Sequence, residues 1–348
     1  MEILYLCTPM EIIRDIEKTR MVLKCAATIG VFDGVHAGHQ QVIKRLISDA
    51  GFHHLASMVI TFDRQPRQLF DPQFHPQLLT TQEEKERELE RLGVDFLVVL
   101  PFTKEIASLS AHDFMAQILK EKLNVKILQI GYDNRFGHDR TEGFDDYARY
   151  GQELGIRVYQ GIKVSFQGYD MAVCSSNIRS LLSEDGDVET AAVLLERPYQ
   201  LSGKVMPGEH IGHQLGFPTA NLQPDNPFKL IPASGVYAVW AEIINQTTPD
   251  HSYSGGGLPA MMNIGTRPTF DGRNRTLEVN IFDFDGDLYG QTVLITFVAR
   301  LREERKFESP EALVQQLKTD QEATERCLSN RKSANRKSAN RKSANRKS

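Results

Sequence analysis

The sequence has little cysteine and no long hydrophobic run, and each absence excludes a class of protein. Its four cysteines, Cys7, Cys25, Cys174 and Cys327, form no Cys-x-x-Cys pair, which argues against a zinc ribbon or a disulfide framework. No run of about 18 apolar residues occurs, so no transmembrane helix is predicted. The first residues, MEILYLCTPMEII, include acids and lack a basic segment, so no secretory signal is predicted. We expect a cytoplasmic protein without a membrane partner.

Acidic residues outnumber basic residues outside one short segment. The 348 residues have a formal net charge of −4, but residues 330–348 hold four Arg, four Lys and no acid. The remainder, residues 1–329, has 33 Lys and Arg against 45 Asp and Glu, a net charge of −12. An acidic body argues against a general nucleic-acid-binding surface, so we expect no nucleic-acid partner.

The basic segment is a five-residue repeat, NRKSANRKSANRKSANRKS. Since it has no apolar side chain larger than Ala, it has little to bury, and we expect residues 330–348 to be disordered. It resembles an engineered or slipped repeat more than a functional arm. The alternative is a weak contact with nucleic acid or a membrane surface, which would depend strongly on salt.

The first half of the chain alternates apolar strand-like runs with helix-like segments. Strands are predicted at 26–31, 58–62, 96–100 and 126–130. This alternation is typical of a parallel sheet covered by helices, in which ligands bind at the carboxyl ends of the strands. The polar stretch SEDGD, around residue 185, predicts the end of a first domain that covers residues 1–185.

From about Gly203 the pattern changes to short β-rich runs broken by Gly, Pro and Asn. They predict a small antiparallel barrel or sandwich within a second domain, residues 186–329. Residues 283–289 carry the turn signal Asp285-Gly286 between two of its strands. A terminal helix is predicted from Ser309, as its N-cap, to about Leu328.

A glycine-rich turn between a predicted strand and a predicted helix carries the first candidate site. Residues 28–39 read TIGVFDGVHAGH. Glycines let a phosphate approach the backbone, and a helix N-terminus offers unpaired N–H groups and a positive dipole end. His36 and His39 share one face of the first turn and can donate to phosphate oxygens. The alternative is a glycine-rich turn with incidental histidines.

Two further segments are candidates to complete this nucleotide site. Residues 131–143, GYDNRFGHDRTEG, follow a strand at its carboxyl end, and residues 174–179, CSSNIR, place hydroxyls and a guanidinium at a helix start. Such groups suit a triphosphate. A loop and an N-cap are the alternatives when each segment is taken alone.

TIGVFDGVHAGH resembles the signature of the adenylyltransferase module of bifunctional riboflavin kinase/FAD synthetases, which have an HxGH motif. SSNIR is similar to the SSTxIR element of that family. The resemblance implies a Rossmann-like α/β nucleotidyltransferase domain in which the FMN phosphate attacks the α-phosphorus of ATP, giving FAD and pyrophosphate. It implies catalytic roles for His36 and His39, and an ATP site of Gly30, Phe32, Asp33, Gly34, His36, His39, Ser175, Ser176 and Arg179.

The sequence departs from that family in two motifs. Phe62-Asp63-Arg64-Gln65-Pro66 stands where FDPHP is usual, and Asp133-Asn134-Arg135-Phe136-Gly137 stands where DFxFG is usual. A histidine and an aromatic residue are therefore missing, and an alternative is a kinase whose first domain is degraded. The resemblance implies flavin contacts from Phe62, Asp63, Asp133 and Phe136.

The second half has no GxxxxGK[ST] phosphate loop and offers a different nucleotide site. Residues 203–222, GKVMPGEHIGHQLGFPTANL, form a pliable glycine-rich loop whose amides can wrap phosphates. Thr219 and Asn221 face the same way on an extended segment, and their oxygens are hard ligands suited to Mg²⁺. On the strand TLEVNIF, Glu278 is a candidate general base. The alternatives are a polar strand start and a solvent-facing glutamate.

Residues 186–318 resemble riboflavin kinases almost continuously, with LGFPTANL, MNIGTRPTF and LEVNIFDFDGDLYG in the family's order. The resemblance implies Mg²⁺ on Thr219 and Asn221, and a catalytic Glu278 that takes the proton of the ribityl 5′-hydroxyl. It implies ATP contacts from Gly208, Gly212, Gly216, Pro218, Thr219 and Asn221, and flavin contacts from Glu278, Arg300 and Arg302.

Together the two signatures predict an enzyme that phosphorylates riboflavin to FMN and adenylylates FMN to FAD. Its cofactor would be Mg²⁺, and its partners the small molecules ATP, riboflavin, FMN and FAD. A kinase alone is the first alternative. A non-catalytic flavin-binding regulator with a nucleic-acid-contacting tail is the second, and a homo-oligomer stays open.

Overall fold

The computed structural model describes residues 9–132, 134–138, 141–161, 172–207, 216–244, 257–269 and 272–344. The chain forms two compact units, Met1–Asn177 and Ile178–Ser348. Three predicted site residues, Asp133, Gly208 and Gly212, lie outside the described residues. The domain boundary that the sequence places at residue 185 stays a prediction.

A six-stranded parallel sheet forms the centre of the first unit, in the order β1-β4-β3-β2-β5-β6. Its central strands are mostly apolar and buried, as expected for strands covered on both faces. The strands are β1 (Glu11–Ile13), β2 (Cys25–Ile29), β3 (Ala56–Phe62), β4 (Phe96–Leu100), β5 (Val125–Ile130) and β6 (Arg157–Gln160).

Helices cover both faces of this sheet. Ala27 and Ile29 of β2 pack on the face of α5 and α6, whereas Ala26 packs with Ile43 and Leu46 of α1 on the other face. The helices of this unit are α1 (Ala37–Phe52), α2 (Arg67–Phe70), α3 (Gln82–Leu92), α4 (Lys104–Ser108), α5 (Ala111–Asp113, continued as the π-helical Phe114–Lys122) and α6 (Phe144–Leu154). Helix α7 (Ser175–Ser180, continued as the π-helical Leu181–Asp185) begins in this unit and ends in the second.

The strand order reverses between β2 and β5, which places a crevice between their carboxyl ends. From β2 the chain adds β3 and β4 on one side, and then β5 and β6 on the other. Ligands of such sheets bind at this reversal. The turn after β2 and the loop after β5, both predicted as nucleotide-binding segments, therefore flank the crevice.

The second unit is a closed antiparallel barrel with the strand order β10-β11-β8-β7-β12-β9. This confirms the predicted barrel. Its strands are β7 (Gln200–Met206), β8 (Ala220–Pro224), β9 (Gly235–Ile244), β10 (Leu258–Thr269), β11 (Gly272–Ile281) and β12 (Thr292–Arg302). The segment with Asp285-Gly286 connects β11 to β12, as the turn signal predicts. The two strands are not hairpin partners, because β11 pairs with β8 and β10 while β12 pairs with β7 and β9.

In the part of the second unit that the structure describes, α7 is followed by two further helices, α8 (Val188–Leu195) and α9 (Pro310–Ala344). Ser309 caps α9, since its hydroxyl accepts a hydrogen bond from the Ala312 amide at 3.2 Å. The sequence predicts disorder from residue 330, whereas the helix continues to Ala344. Arg, Lys and Ala are good helix formers, and no Gly or Pro follows Pro310 to stop the helix.

Candidate functional site

The turn between β2 and α1 has a strained backbone. Phe32, Gly34 and Val35 have φ values of 51°, 84° and 39°, in the left-handed region. For Phe32 and the β-branched Val35 this conformation is costly, and it persists only where the surroundings impose it. The strain therefore shows that the surrounding structure fixes the shape of residues 31–35.

Asp33 imposes that shape from inside the protein. Its buried Oδ1 accepts hydrogen bonds from the Leu79 amide at 2.9 Å and from the Thr80 amide at 3.0 Å. The Thr80 hydroxyl in turn accepts the Gly34 amide at 3.0 Å, and the Ser175 hydroxyl donates to the Asp33 carbonyl at 2.9 Å. Thr80 shapes the turn although no motif in the sequence singles it out. ATP contacts from Asp33 and Ser175 stay predictions.

His36 and His39 lie together at the N-terminus of α1. His36 is the buried N-cap, and its Nδ1 accepts a hydrogen bond from the His39 amide at 3.4 Å. The two rings stack with centroids 3.6 Å apart. A Cβ on Gly38 would lie 3.2 Å from the His36 ring, and one on Gly30 would lie 3.1 Å from the Phe32 ring. Both glycines thus leave room for these rings.

The His39 imidazole is held in its neutral form. Burial, then the charge of His36, then the charge of Lys85 lower the pKa of His39 well below its ordinary value. The edge of the Phe32 ring packs against it, with centroids 5.1 Å apart. The buried His39 Nδ1 has no hydrogen-bond partner in the described part of the chain. At neutral pH His39 can therefore donate a hydrogen bond without carrying a charge.

The predicted flavin residues of this unit are engaged in packing. Phe62 packs edge-on against Phe102, with ring centroids 5.1 Å apart. Asp63 accepts the Phe102 amide at 2.8 Å and pairs with the Arg64 guanidinium at 3.1 Å. Phe136 stacks on Tyr147 with centroids 4.4 Å apart. Flavin contacts from these three residues stay predictions.

A cavity of about 500 Å³ opens at the carboxyl end of β5, beside the crevice. Tyr132, Phe144 and Tyr147 give it an aromatic lining, and Asn134 also lines it. The Asn134 side-chain amide donates to the carbonyl of Ile29, the last residue of β2. The residue that replaces the family's aromatic therefore ties the two strand ends of the crevice together.

Helix α7 carries the predicted Ser-Ser-Asn-Ile-Arg element across the division between the two units. Ser175 binds the turn as described above, and Ser176 is exposed. Arg179 belongs to the second unit, and its carbonyl accepts the Ser183 hydroxyl at 2.8 Å. Phosphate contacts from Ser176 and Arg179 stay predictions.

In the second unit, strand register brings Glu278 between two amide side chains. Glu278 of β11 is paired with Asn221 of β8 on one side and with Asn263 of β10 on the other. Side chains of directly paired residues lie on the same face of a sheet, with Cβ atoms about 5 Å apart. The predicted base and the predicted Mg²⁺ ligand are thus neighbours. Asn263 stands within MNIGTRPTF, one of the segments that resemble riboflavin kinases, but only the register shows that it lies beside Glu278.

The PTAN segment is fixed by Asn280. This buried side chain, on the same face of β11 as Glu278, donates to the Pro218 carbonyl at 2.6 Å. Phe217 packs with Met261 and Phe282 beneath Val314 and Leu317 of α9. Gly216 ahead of it takes a φ of 80°, and Thr219 is exposed. The alternation of side chains along the strand TLEVNIF predicts that Asn280 lies on the same face as Glu278.

The donor set around Glu278 fits Mg²⁺. Thr219 offers a hydroxyl and Asn221 an amide oxygen, which are the hard ligands that Mg²⁺ takes. Within the described ranges, no group of three or more His, Cys, Asp or Glu forms a metal cage. A small number of protein oxygens is enough for Mg²⁺, because this ion keeps several waters and binds substrate phosphates.

The two predicted flavin arginines bind other parts of the second unit. Arg300 donates to the Asp185 carbonyl at 2.8 Å and to the Ser234 carbonyl at 2.6 Å. Arg302 forms a two-pronged ion pair with Asp320 of α9, with a shortest N–O distance of 2.7 Å. These contacts hold Arg300 on the backbone of the second unit and Arg302 on helix α9. Flavin contacts from either arginine stay predictions.

Replacing Arg302 with Met is expected to destabilise the second unit by about 3–5 kcal/mol, because it leaves the Asp320 carboxylate buried and unpaired. The Arg302 and Asp320 side chains are only 18% and 4% exposed. Trp240, the one tryptophan of the chain, packs against Leu328 of α9. Its fluorescence in a denaturant titration therefore reports unfolding of this unit.

Arg331→Ala is the matched control, since Arg331 and Glu189 form an exposed pair in the same unit, with side chains 49% and 54% exposed. It is expected to cost less than about 1 kcal/mol. Adding Asp320→Leu to Arg302→Met is expected to restore most of the loss, because no charge is then left buried. A loss below 1 kcal/mol in the Arg302 variant would contradict the role of the pair.

Comparisons with known proteins agree on both units. The FAD synthetase family profile matches residues 18–177, and the riboflavin kinase family profile matches residues 195–328. The bifunctional riboflavin kinase/FMN adenylyltransferases of Pseudomonas fluorescens and Escherichia coli (strain K12) are 36% and 34% identical to this chain. The alignments cover 89% and 90% of this chain and 96% of each relative. The enzyme of the same name from Bacillus subtilis is 33% identical, over 95% of this chain and 99% of its own length.

A solved structure shares the fold. The crystal structure titled macrolide-efflux protein from Streptococcus pneumoniae has a TM-score of 0.80 and 33% identity, over 91% of this chain and 99% of that one. Of the helices that the structure describes, none has both the length and the apolar character needed to cross a membrane. With profile matches over both units and relatives above 30% identity along nearly their whole length, the chain belongs to the bifunctional riboflavin kinase/FMN adenylyltransferases.

Proposed function

We propose that the crevice of the first unit transfers the adenylyl group of ATP to FMN, and that the Glu278 face of the barrel phosphorylates riboflavin. The observation that carries the first assignment is the pair of stacked imidazoles at a helix N-terminus, beside the reversal of the sheet. The observation that carries the second is the register of Asn221, Glu278 and Asn263.

In the first unit, a phosphate oxygen of FMN attacks the α-phosphorus of ATP and pyrophosphate leaves. The attacking oxygen is already anionic, so the step needs no general base. It needs donors for the charge that grows on the phosphoryl oxygens. His36 and His39 supply these donors from their rings, and the N-terminus of α1 adds its unpaired amides.

In the second unit, Glu278 takes the proton of the riboflavin 5′-hydroxyl as that oxygen attacks the γ-phosphorus of ATP. Thr219 and Asn221 would hold Mg²⁺, which when bound neutralises charge on the phosphates. Asn280 fixes the backbone that carries both ligands through its bond to Pro218. Most of the acceleration then comes from positioning and charge neutralisation.

Small molecules are the partners that this assignment needs, namely ATP, riboflavin, FMN and FAD. A cytoplasmic location is supported by the cysteines, since Cys25, Cys174 and Cys327 are free thiols. We propose no nucleic-acid or membrane partner, because the body of the chain is acidic.

Product analysis by chromatography tests the function. With riboflavin, ATP and Mg²⁺, the purified protein is expected to accumulate FMN first and FAD later. With FMN in place of riboflavin, FAD and pyrophosphate are expected. A kinase with a degraded first unit would stop at FMN in both reactions, and absence of both products would contradict the assignment as a whole.

A further inference from the structure

Lys85 is a buried charge in the first unit that the proposed mechanism does not use. It lies on α3 within QEEKERELERL, a segment whose sequence is typical of a solvated helix. Its side chain nevertheless faces the protein interior, and the residue is only 6% exposed. Lysine is rarely buried this far without a partner, so the position calls for a physical reason.

A short chain of hydrogen bonds links Lys85 to the strained turn. The Lys85 Nζ donates to the Thr61 hydroxyl at 3.2 Å, and that hydroxyl donates to the Val31 carbonyl at 3.1 Å. Val31 begins the turn that continues through Asp33 to His36. The ammonium therefore supports the backbone of the turn through Thr61.

Titratable groups on three elements interact with this ammonium. Asp33 in the turn and Glu86, the neighbour of Lys85 on α3, both attract the ammonium. The ammonium in turn disfavours the charged form of His39 at the start of α1. Glu86 is itself paired with Arg14 at 2.8 Å. Among the described residues no carboxylate forms an ion pair with Lys85, so its charge acts on Asp33 through space.

The negative charge of the Asp33 carboxylate explains why a cation is needed beside this turn. A carboxylate inside a triphosphate-binding turn repels its ligand, and the repulsion is strong where water is excluded. We propose that Lys85 is a positioning residue of the adenylyltransferase site, which offsets the charge of Asp33 and, through Thr61, fixes the turn that receives the triphosphate of ATP. This inference rests on the proposed adenylyltransferase function of the first unit.

The stability of the fold and its activity should respond oppositely to pH. Burial lowers the pKa of Lys85 to about 8, from its ordinary value of 10.5. Between about pH 8 and pH 10.5 the unfolded chain binds the proton and the folded chain does not, so the free energy of unfolding rises with pH in this window. Affinity for ATP in FAD formation falls over the same window, because the ammonium is lost. A merely structural lysine would not produce this opposition.

Lys85→Met and Lys85→Gln test the proposal, since Met removes charge and donor while Gln keeps a donor. Both variants are expected to raise the KM for ATP in FAD formation at least tenfold at pH 7. Both are also expected to lack the rise in KM that the parent shows above pH 8. FMN formation from riboflavin by the same samples is the internal control, and it should stay within twofold.

An NMR titration of the His39 imidazole, assigned with His39→Gln, gives a readout that needs no turnover. Its pKa is expected to rise in both Lys85 variants. If the parent makes no FAD, the proposed function fails, and this titration still decides whether the Lys85 charge acts on the site. A KM within threefold of the parent in both variants, or an unchanged His39 pKa, would overturn the proposal. Amide exchange of the β2–α1 segment shows whether either variant has unfolded there.

Discussion

Replacing Glu278 with Gln should lower kcat for FMN formation by about 10²–10⁴, the usual contribution of a general base. Gln keeps the size and the hydrogen-bonding capacity of the side chain, so its register with Asn221 and Asn263 should persist. It cannot accept the proton of the 5′-hydroxyl. The rate is measured as FMN formed from riboflavin with saturating ATP and Mg²⁺.

The same Glu278 variant should make FAD from supplied FMN at the parent rate, since that reaction belongs to the first unit. Glu242→Gln is the matched control, because this glutamate of β9 is paired with Leu294 of β12 and lies outside the Asn221–Glu278–Asn263 group. FMN formation within tenfold of the parent in the Glu278 variant would show that another group takes the proton.

Replacing His39 with Ala should lower FAD formation from FMN by about 10²–10³, the usual effect of removing one donor to a developing charge. Because the pKa of His39 lies well below its ordinary value, the ring acts as a neutral donor. A neutral amide can partly replace it, so His39→Gln should retain more activity than His39→Ala. The comparison is made from initial rates at pH 7 with FMN and ATP.

FMN formation from riboflavin should be unchanged in both His39 variants. His53→Ala is the control, since His53 caps the other end of the same helix. Equal losses in His39→Ala and His39→Gln would contradict the neutral-donor role and would instead indicate that the imidazole shape or its stacking on His36 is required.

The fold followed from the sequence where local pattern and burial agree. The run Phe96–Leu100 is a strand with the predicted bounds because every residue in it is apolar and the sheet is covered on both faces. The barrel was also predicted correctly, but the turn signal at Asp285-Gly286 does not reveal that the two strands it connects pair with other strands. Turn preference is local, whereas strand pairing in a closed barrel is set by distant segments.

The candidate sites were predictable only where a motif names its residues. His36 and His39 stand in a recognisable motif, and the structure stacks them. Lys85 could not be found, because a lysine among five charged neighbours resembles a solvated helix face until the sheet beneath it is known. Asn263 is missed for another reason, since its closeness to Glu278 exists only in the register of β10 and β11.

Strand order in the barrel also determines when its active face can exist during folding. Asn221 and Glu278 come from strands that pair across a long stretch of chain, and Asn263 joins them only through the β10–β11 hairpin. Contacts between distant segments are costly in loop entropy and form late. In a partly folded chain the base and the ligand oxygens are therefore not yet held at their final spacing. Such a chain cannot transfer the γ-phosphoryl group of ATP before the barrel closes.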